Sequence, residues 1–287
     1  MRKDFLLRLL AVILGFTLVA AACSDDDGDG GDAADDAADD AADDSSDDTV
    51  EATQGDSDLL VEIQDRGELN CGVSTVSIGF AVQDSDGIYQ GFDSDFCRAT
   101  AVAILGDAGA INIIGLTAAE RFTAVQTGQV DLLHRNTTWT QSRDSDVGMD
   151  FGPTTYFDGQ QLMARVSDGF SNTSGVADID GAVVCTNAGT TTEKNIAEAA
   201  DLLGITITLN TFEDFDIVTQ NFIDGACDII TTDGSGLVGR KAEQQPAGEE
   251  WVIFPGAPIS KEPLGPTYGQ NQSRFADVVN WTVYAML

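Results

Sequence analysis

Arg143 is the residue of this sequence best suited to bind a carboxylate. It ends the segment Thr138-Trp-Thr-Gln-Ser-Arg143, which begins just beyond a predicted strand. A guanidinium group binds a carboxylate through two parallel hydrogen bonds, which a lysine ammonium group cannot do. Thr138 would add a hydroxyl or a backbone contact. The alternative is a surface ion pair of Arg143 with Asp144 or Asp146.

A second feature that favours an anion is the segment Gly189-Thr-Thr-Thr-Glu193. Thr190 and Glu193 have the spacing of a capping box, which predicts that a helix begins here. The free backbone N–H groups at such a helix start attract an anion. A purely structural cap would produce the same pattern.

Asp233 supplies a negative charge after another predicted strand, in Thr231-Thr-Asp-Gly-Ser-Gly236. Before Gly234 it could equally be an ordinary turn aspartate. Gly128-Gln-Val-Asp131 and Gly225-Ala-Cys-Asp228 each lead from a helix into a strand that ends in polar residues. Ligands of open α/β sheets bind beyond the carboxyl ends of the strands, so two such units facing each other would bring both polar clusters to one ligand. Turns of the Gly-x-x-Asp type are nevertheless common between helices and strands.

The elements that would position these residues alternate between strands and helices. Strands are predicted over 69–74, 111–116, 130–133, 182–186, 205–210 and 227–231. Helices are predicted over 93–105, with Asp93 as the cap, and over 117–127, 191–203 and 215–223. This alternation predicts an α/β fold with mostly parallel sheets covered by helices.

Six strings of the sequence carry a resemblance to a known family. They are LNCGVST, YQGFDSDFCRA, LTAAERFTAVQTGQVDLLHRNTTWTQSRD, GTTTEKN, CDIITTDGSGL and ISKEPLGP. They resemble the general L-amino-acid-binding proteins of ABC importers, in the polar amino-acid branch (family 3 type) of the periplasmic solute-binding proteins. The resemblance covers nearly all of residues 59–287. It implies a two-lobed periplasmic binding protein-like fold of type II, with a ligand cleft between lobes joined by two hinge crossings.

The resemblance also implies lobe boundaries. The first lobe is expected over 59–157 and 269–287 and the second over 158–268, with crossings near Tyr156–Gln160 and Pro266–Gln270. Relatives continue beyond the point where this sequence ends. We therefore expect the second segment of the first lobe to be truncated.

Roles for the site residues follow from the resemblance as well. Arg143 would clamp the α-carboxylate of an amino acid, together with Thr138, Thr190 and Thr191. Asp233 would receive the α-ammonium group. The partners implied are an L-amino acid and the permease subunits of an ABC transporter, and we expect a monomer.

Ser74 and Ser77 match the side-chain pocket of related proteins. Relatives that select basic amino acids place an acid and an aromatic residue there. A pocket without a fixed charge cannot choose strongly between charged and neutral side chains, so broad specificity is predicted. Trp139 could line the cleft or simply pack, and the resemblance favours the cleft.

Five cysteines are present. With Cys23 set aside, the even number that remains favours disulfides in an exported chain. The assignment to lobes favours the pairs Cys71–Cys97 and Cys185–Cys227 among three possible pairings.

The N-terminus carries export signals. A basic start precedes the apolar run Leu9–Ala22, which is too short to span a hydrocarbon core of roughly 30 Å. A secretory signal peptide over 1–22 is predicted. Cys23, directly after Ala-Ala-Ala, resembles the lipidated cysteine of a bacterial lipobox, with plain secretion as the alternative. Residues 23–58 are rich in Asp and contain no Lys or Arg, which predicts a disordered acidic tether. We expect a lipid-anchored, extracytoplasmic protein, in the periplasm or on the outer face of the cell membrane.

Composition excludes several other classes of function. A net charge of −34 argues against nucleic acid and anionic membrane surfaces as partners. His134 is the only histidine, and no Ser or Cys nucleophile motif lies near it. No catalytic residue, metal site or cofactor is therefore predicted, and the protein is expected not to be an enzyme. The alternatives are a dehydratase, since some dehydratases share this fold, and an amino-acid sensor, which would need a signalling region.

Overall fold

The computed structural model describes residues 58–287. The predicted signal peptide 1–22, Cys23 and the tether up to residue 57 lie outside the described residues. Within the described range, none of the helices combines the length and the apolar character that crossing a bilayer requires.

Strands and helices alternate along the described chain. The strands are β1 (Leu69–Ser74), β2 (Val76–Ser77), β3 (Ala81–Gln83), β4 (Tyr89–Gln90), β5 (Ile111–Leu116), β6 (Leu132–Leu133), β7 (Met149–Phe151), β8 (Tyr156–Asp158), β9 (Gln160–Arg165), β10 (Val183–Asn187), β11 (Thr208–Phe212), β12 (Ile229–Asp233), β13 (Trp251–Phe254), β14 (Glu262–Leu264) and β15 (Thr267–Gly269). The α-helices are α1 (Leu59–Arg66), α2 (Phe92–Leu105), α3 (Arg121–Gln126), α4 (Thr191–Leu203), α5 (Phe215–Ile223), α6 (Gly234–Gln244) and α7 (Ser273–Met286).

Two five-stranded sheets form the centres of two lobes. The first sheet has the order β5-β1-β6-β15-β7 and the second the order β11-β10-β12-β9-β13. In each sheet the second strand in this order, β1 or β10, runs parallel to both of its neighbours. The remaining pairs of both sheets are antiparallel. The predicted α/β fold is confirmed, but the expectation of mostly parallel sheets is wrong, because two of the four strand pairs in each sheet are antiparallel. The carboxyl ends of the parallel strands carry the polar segments singled out above.

Each lobe has its own buried core and its own disulfide. Cys71–Cys97 joins β1 to α2, and Cys185–Cys227 joins β10 to the segment that leads into β12. All four cysteines are buried. These are the two pairings that the lobe assignment favours.

The helix starts differ from the predicted ones at two places. Helix α2 begins at Phe92 after Gly91, whose φ of 125° and contact with the Phe80 carbonyl leave no room for a Cβ. The prediction of Asp93 as the cap is wrong, because its carboxylate instead accepts a hydrogen bond from Asn136 N at 2.8 Å. Thr117 and Glu120 form the predicted reciprocal bonds, but residues 117–120 form a turn, so helix α3 starts only at Arg121.

Two antiparallel strands connect the lobes. Strand β8 pairs with β14, with Asp158 opposite Glu262. Strand β15 already belongs to the first sheet, since Thr267 pairs with Leu133 and Phe151. The expected second-lobe range 158–268 therefore extends a few residues too far, as does the crossing expected at 266–270. The turn residues Gly265 and Pro266 hid this short strand from sequence reasoning.

Candidate functional site

A cavity lies between the carboxyl ends of strands from both sheets. Its volume is about 60 Å³, several times the roughly 10–15 Å³ that one water molecule needs. All seven predicted ligand-binding residues line it, namely Ser74, Ser77, Thr138, Arg143, Thr190, Thr191 and Asp233. The structure therefore brings together residues that are far apart in the sequence and belong to different lobes.

Arg143 lies in the short π-helical turn Ser142–Asp146 and is buried. Its Nη1 donates to the Thr138 carbonyl at 2.8 Å, and its guanidinium lies 5.2 Å from the centre of the Phe122 ring. None of the ion pairs within residues 58–287 includes Arg143, so the alternative pairing with Asp144 or Asp146 is not formed. Burial lowers the pKa of Arg143 to about 10, which leaves it charged at neutral pH. It is thus a buried cation without a carboxylate partner in the described chain.

The start of helix α4 faces the same cavity. Thr190 is the N-cap, and its hydroxyl accepts a hydrogen bond from Glu193 N at 3.1 Å. Glu193 in turn accepts from Gly189 N at 2.7 Å, one residue before the N-cap, so the Thr190 half of the predicted capping box is formed and the return bond to the N-cap amide is replaced by one to Gly189. The first amides of a helix have no intrahelical acceptor and remain available for an anion. Across the cleft, the Thr191 and Thr138 hydroxyl oxygens are 3.4 Å apart.

Asp233 ends β12 and directly precedes α6. Its side chain makes no capping hydrogen bond to that helix, which argues against a purely structural cap. Burial raises the pKa of Asp233 to about 8, and the negative charges of Asp158 and Glu262 act in the same direction. Arg121 and Arg143 oppose this shift. An ammonium group placed beside Asp233 would favour its ionised form.

Sequence reasoning missed three arginines that line the cavity, namely Arg121, Arg135 and Arg240. Arg121 is only 2% exposed, and its Nε and Nη2 have no hydrogen-bond partner among the described residues. Burial, followed by the positive charges of Arg143 and Arg135, lowers its pKa well below the usual range. Arg135 donates from Nε to the Leu116 carbonyl at 2.9 Å, and burial lowers its pKa to about 10. Arg135 follows the carboxyl end of β6, where ligands of α/β sheets bind, so its place in the sequence could have predicted this role.

The cavity that Ser74 and Ser77 line is therefore not free of charge, although these two serines alone had indicated a neutral pocket. Ser77 Oγ donates to Ser74 Oγ at 2.9 Å and lies 3.3 Å from Asn136 Oδ1. These neutral groups share the cavity with Arg121 and Arg135. The pocket thus combines hydroxyl groups with two buried cations.

Two other residues lie away from the cavity. Trp139 stacks on Phe151, with ring centres 5.9 Å apart, and donates from Nε1 to Asp144 at 2.8 Å, so its expected place in the cleft wall is wrong. His134 is buried against the Phe96 ring, and burial lowers its pKa to about 3. Within residues 58–287, no group of three or more His, Cys, Asp or Glu side chains is arranged to hold a metal ion.

Comparisons with known proteins agree with this architecture. A sequence model described as bacterial extracellular solute-binding proteins, family 3, matches residues 69–286. The general L-amino acid-binding periplasmic protein of Rhizobium johnstonii is 40% identical over 83% of this chain and 68% of its own length. The glutamate/glutamine/aspartate/asparagine-binding protein of Rhodobacter capsulatus is 41% identical over 82% of this chain and 68% of its own length.

A solved structure gives the same result for the fold. The chain is similar to an ABC transporter periplasmic binding protein from Brucella ovis with glutathione bound, with a TM-score of 0.74 and 42% identity over 79% of this chain and 70% of that one. The two lobes thus have the type II periplasmic binding protein fold. The family match spans most of the sequence, and both relatives are at least 40% identical to it over 68% of their own length, so the chain belongs to the bacterial extracellular solute-binding proteins of family 3.

Proposed function

We propose that this protein captures L-amino acids outside the cytoplasm and delivers them to the permease subunits of an ABC transporter. The observation that carries the proposal is a pair of buried groups on the wall of one cavity, the Arg143 guanidinium and the Asp233 carboxyl, which carry opposite charges once Asp233 is ionised. Arg143 comes from the first lobe and Asp233 from the second, and neither forms an ion pair within the described range. An α-amino acid carries the two complementary groups, an ammonium and a carboxylate, bonded to the same carbon atom.

The proposed pose follows from the position of each charge. The α-carboxylate binds the Arg143 guanidinium and the first amides of α4 at Thr191, with Thr138 and Thr190 beside it. The α-ammonium group binds Asp233. Because the two lobes contribute opposite charges, a ligand bound to one lobe attracts the other, and the cleft closes on it. Micromolar affinity corresponds to about 8 kcal/mol, which several charge-assisted hydrogen bonds in a closed cleft can supply.

Specificity for the side chain is proposed to be broad but graded. Arg121 and Arg135 favour side chains that accept hydrogen bonds, so acidic and amide amino acids bind best. Aliphatic side chains bind less tightly, and lysine and arginine bind least because two buried cations repel them. The names of the relatives support this order, since one binds amino acids generally and another binds glutamate, glutamine, aspartate and asparagine. Glutathione, found in the Brucella protein, presents an amino-acid head and a distant carboxylate, and it belongs in the same test.

Isothermal titration of the purified protein with glutamate, glutamine, alanine, leucine, lysine and glutathione tests the proposal. Arg143→Lys keeps the charge but loses the bidentate geometry, so it should raise the dissociation constant of every amino acid by about tenfold to a hundredfold. Arg274→Lys is the matched control, because Arg274 lies on α7 and pairs with Asp58 away from the cavity. Absence of binding by every amino acid, or equal effects of the two substitutions, would refute the proposal.

Location and assembly are part of the same proposal. Signal peptide cleavage before Cys23 and lipidation of that residue would anchor the protein through the 23–58 tether. Incorporation of labelled palmitate that Cys23→Ser abolishes would support the anchor, and secretion without label would contradict it. The family is extracellular by its description, which supports an extracytoplasmic location. Light scattering at a mass above that of one chain would contradict the proposed monomer.

Binding rather than catalysis is proposed, since the relatives are named as binding proteins. His134 is buried outside the cavity wall, and Asp233 is placed to hold an ammonium group. Recovery of chemically unchanged amino acid after prolonged incubation with the protein is the expected result. Appearance of a dehydrated or deaminated product would favour the enzymatic alternative.

A further inference from the structure

A second set of contacts joins the lobes at the wall of the cavity, where Val76, Ile78 and Arg240 are among the lining residues. Val76, in strand β2 of the first lobe, packs against a buried cluster of the second lobe that includes Phe215 and Leu237. Ile78 follows in the same loop and lies against α6. The first lobe therefore places two apolar side chains on the surface of the second.

Arg240 adds a polar contact across the same boundary. Its Nη2 donates to the Val76 carbonyl at 2.6 Å, and the side chain is 3% exposed. Its Nη1 pairs with Asp216 on α5 and also donates to Gln244 at 3.1 Å. The Asp216 and Gln244 contacts lie within the second lobe and remain when the cleft opens. Only the bond to Val76 requires the lobes to be together.

Gly239 makes this close approach possible. A Cβ added at this position would lie 3.0 Å from both Cβ and Cγ2 of Ile78, which is tighter than most Cβ contacts, so Ile78 would have to move away by a few tenths of an ångström. Gly239 is in the interior of α6, where alanine would favour the helix more than glycine does. Glycine at position 239 weakens helix α6, but it leaves room for the Ile78 side chain of the other lobe. The contact with Ile78 therefore explains why this position is a glycine.

We propose that Val76, Ile78, Gly239 and Arg240 form a closure contact that stabilises the closed arrangement of the two lobes independently of the ligand's side chain. Arg240 is then a positioning residue, whose side chain is oriented by the ion pair with Asp216 and binds the Val76 carbonyl when the lobes close. The apparent affinity for a ligand is proportional to the fraction of protein in the binding-competent arrangement. Weakening this contact therefore lowers the affinity for every ligand by the same factor. The affinity part of the inference rests on the proposed amino-acid binding. The lobe-closure part does not.

Gly239→Ala is the decisive variant, because it separates closure from folding. The added methyl group opposes the approach of Ile78 in the closed form but favours helix α6 in either form. We expect the melting temperature of the ligand-free protein to stay constant or rise by about 2 °C. Dissociation constants for glutamate, glutamine and alanine should rise by about tenfold, all by the same factor and mainly through faster dissociation. Arg240→Gln should act in the same direction.

Val238→Ala is the matched control. Val238 is on the same helix and 58% exposed, so this helix-favouring change should leave all dissociation constants unaltered. A loss confined to one class of side chain in Gly239→Ala or Arg240→Gln would overturn the inference, because these residues would then act on the ligand. Unchanged affinity in both variants would overturn it as well.

Distances between the lobes give a readout that needs no ligand. Spin labels at Val102 and Leu202, both exposed and on different lobes, report the separation by electron–electron double resonance. The ligand-free Gly239→Ala protein should shift toward longer distances than the parent. If the parent binds no amino acid, the proposed function fails, while this shift still supports the closure contact. An identical distance distribution in the two proteins would refute it.

Discussion

Asp233 should make the affinity for amino acids depend on pH. Its carboxyl group is buried, and desolvation, together with repulsion by Asp158 and Glu262, raises its pKa to about 8. Arg121 and Arg143 face it from the first lobe and oppose the shift without reversing it. In the proposed complex the ligand's ammonium group stabilises the ionised form. Binding at neutral pH is therefore expected to release a proton from Asp233.

The size of the effect follows from that pKa. About one Asp233 in ten is ionised at pH 7 and about one in a hundred at pH 6 when the pKa is about 8. If the ammonium group binds only the ionised form, the dissociation constant falls about tenfold from pH 6 to pH 7 and about fivefold more from pH 7 to pH 8. Because the pKa of Asp233 is raised, the dissociation constant must decrease as the pH rises from 6 to 8.

Titration calorimetry in two buffers of different ionisation enthalpy measures both quantities. At pH 7 we expect close to one proton released per ligand bound, and a dissociation constant that decreases up to pH 8. Asp233→Asn is the control, since it should bind weakly and lose the pH dependence. His134 does not titrate in this range, because its pKa is lowered to about 3. A flat profile from pH 6 to pH 8, or a profile that Asp233→Asn retains, would refute the reasoning.

The same group should affect stability in the opposite direction. The folded pKa of Asp233 lies above its ordinary value of 3.8, so the stability it contributes is complete below pH 3.8 and is lost as the pH rises through about 8. Asp233→Asn removes the buried negative charge. We expect the ligand-free variant to melt higher than the parent at pH 8, by at least about 1 kcal/mol or roughly 2–4 °C. A lower melting temperature at pH 8 would contradict this assignment.

Three further predictions concern single groups around the site and the core. Arg121→Gln should weaken the binding of glutamate by about tenfold and that of alanine much less, because it removes a buried cation of the cavity wall that an acidic side chain could pair with, and equal losses for both ligands in calorimetry would contradict that role. Replacing both Cys185 and Cys227 by serine should lower the free energy of unfolding by about 4 kcal/mol, since the disulfide closes a 42-residue loop, whereas an unchanged denaturation midpoint would show that the bond does not constrain the chain. Trp139→Ala should lower the melting temperature through the lost stacking on Phe151 and leave amino-acid affinity intact, so a loss of affinity would return Trp139 to the cleft.

The polar groups at strand ends could be predicted because one rule covers them. Ligands of α/β sheets bind beyond the carboxyl ends of parallel strands, and both Arg143 and Asp233 follow such strands in the sequence. The capping box at Thr190 was equally visible, since its residue types and spacing are local. These features depend on secondary structure alone, whereas the antiparallel strands that complete both sheets were not indicated by the alternation of strands and helices.

Residues whose place depends on packing between elements were missed. Arg121 became visible only when the structure showed that α3 begins there and not at Thr117, because the Thr117–Glu120 bonds close a turn instead of a helix. Trp139 was expected in the cleft, yet Phe151 offers its ring a stacking partner from a strand that the local pattern did not reveal. Arg240 acts across the lobe boundary, and no local pattern could indicate a partner such as the Val76 carbonyl, which is distant in the sequence.

The cavity carries a cost that its ligand would remove. Arg121 lacks partners for two nitrogen atoms, and Asp233 is held with a raised pKa, so both groups destabilise the empty closed form. An amino acid supplies the missing ammonium and carboxylate charges, and an acidic side chain supplies a further acceptor for Arg121. The closed arrangement is therefore least favourable when empty and most favourable when filled, as capture by lobe closure requires. The closure contact at Arg240 then determines the fraction of ligand-free protein that is closed. The disulfide in each lobe stabilises that lobe while the cleft opens.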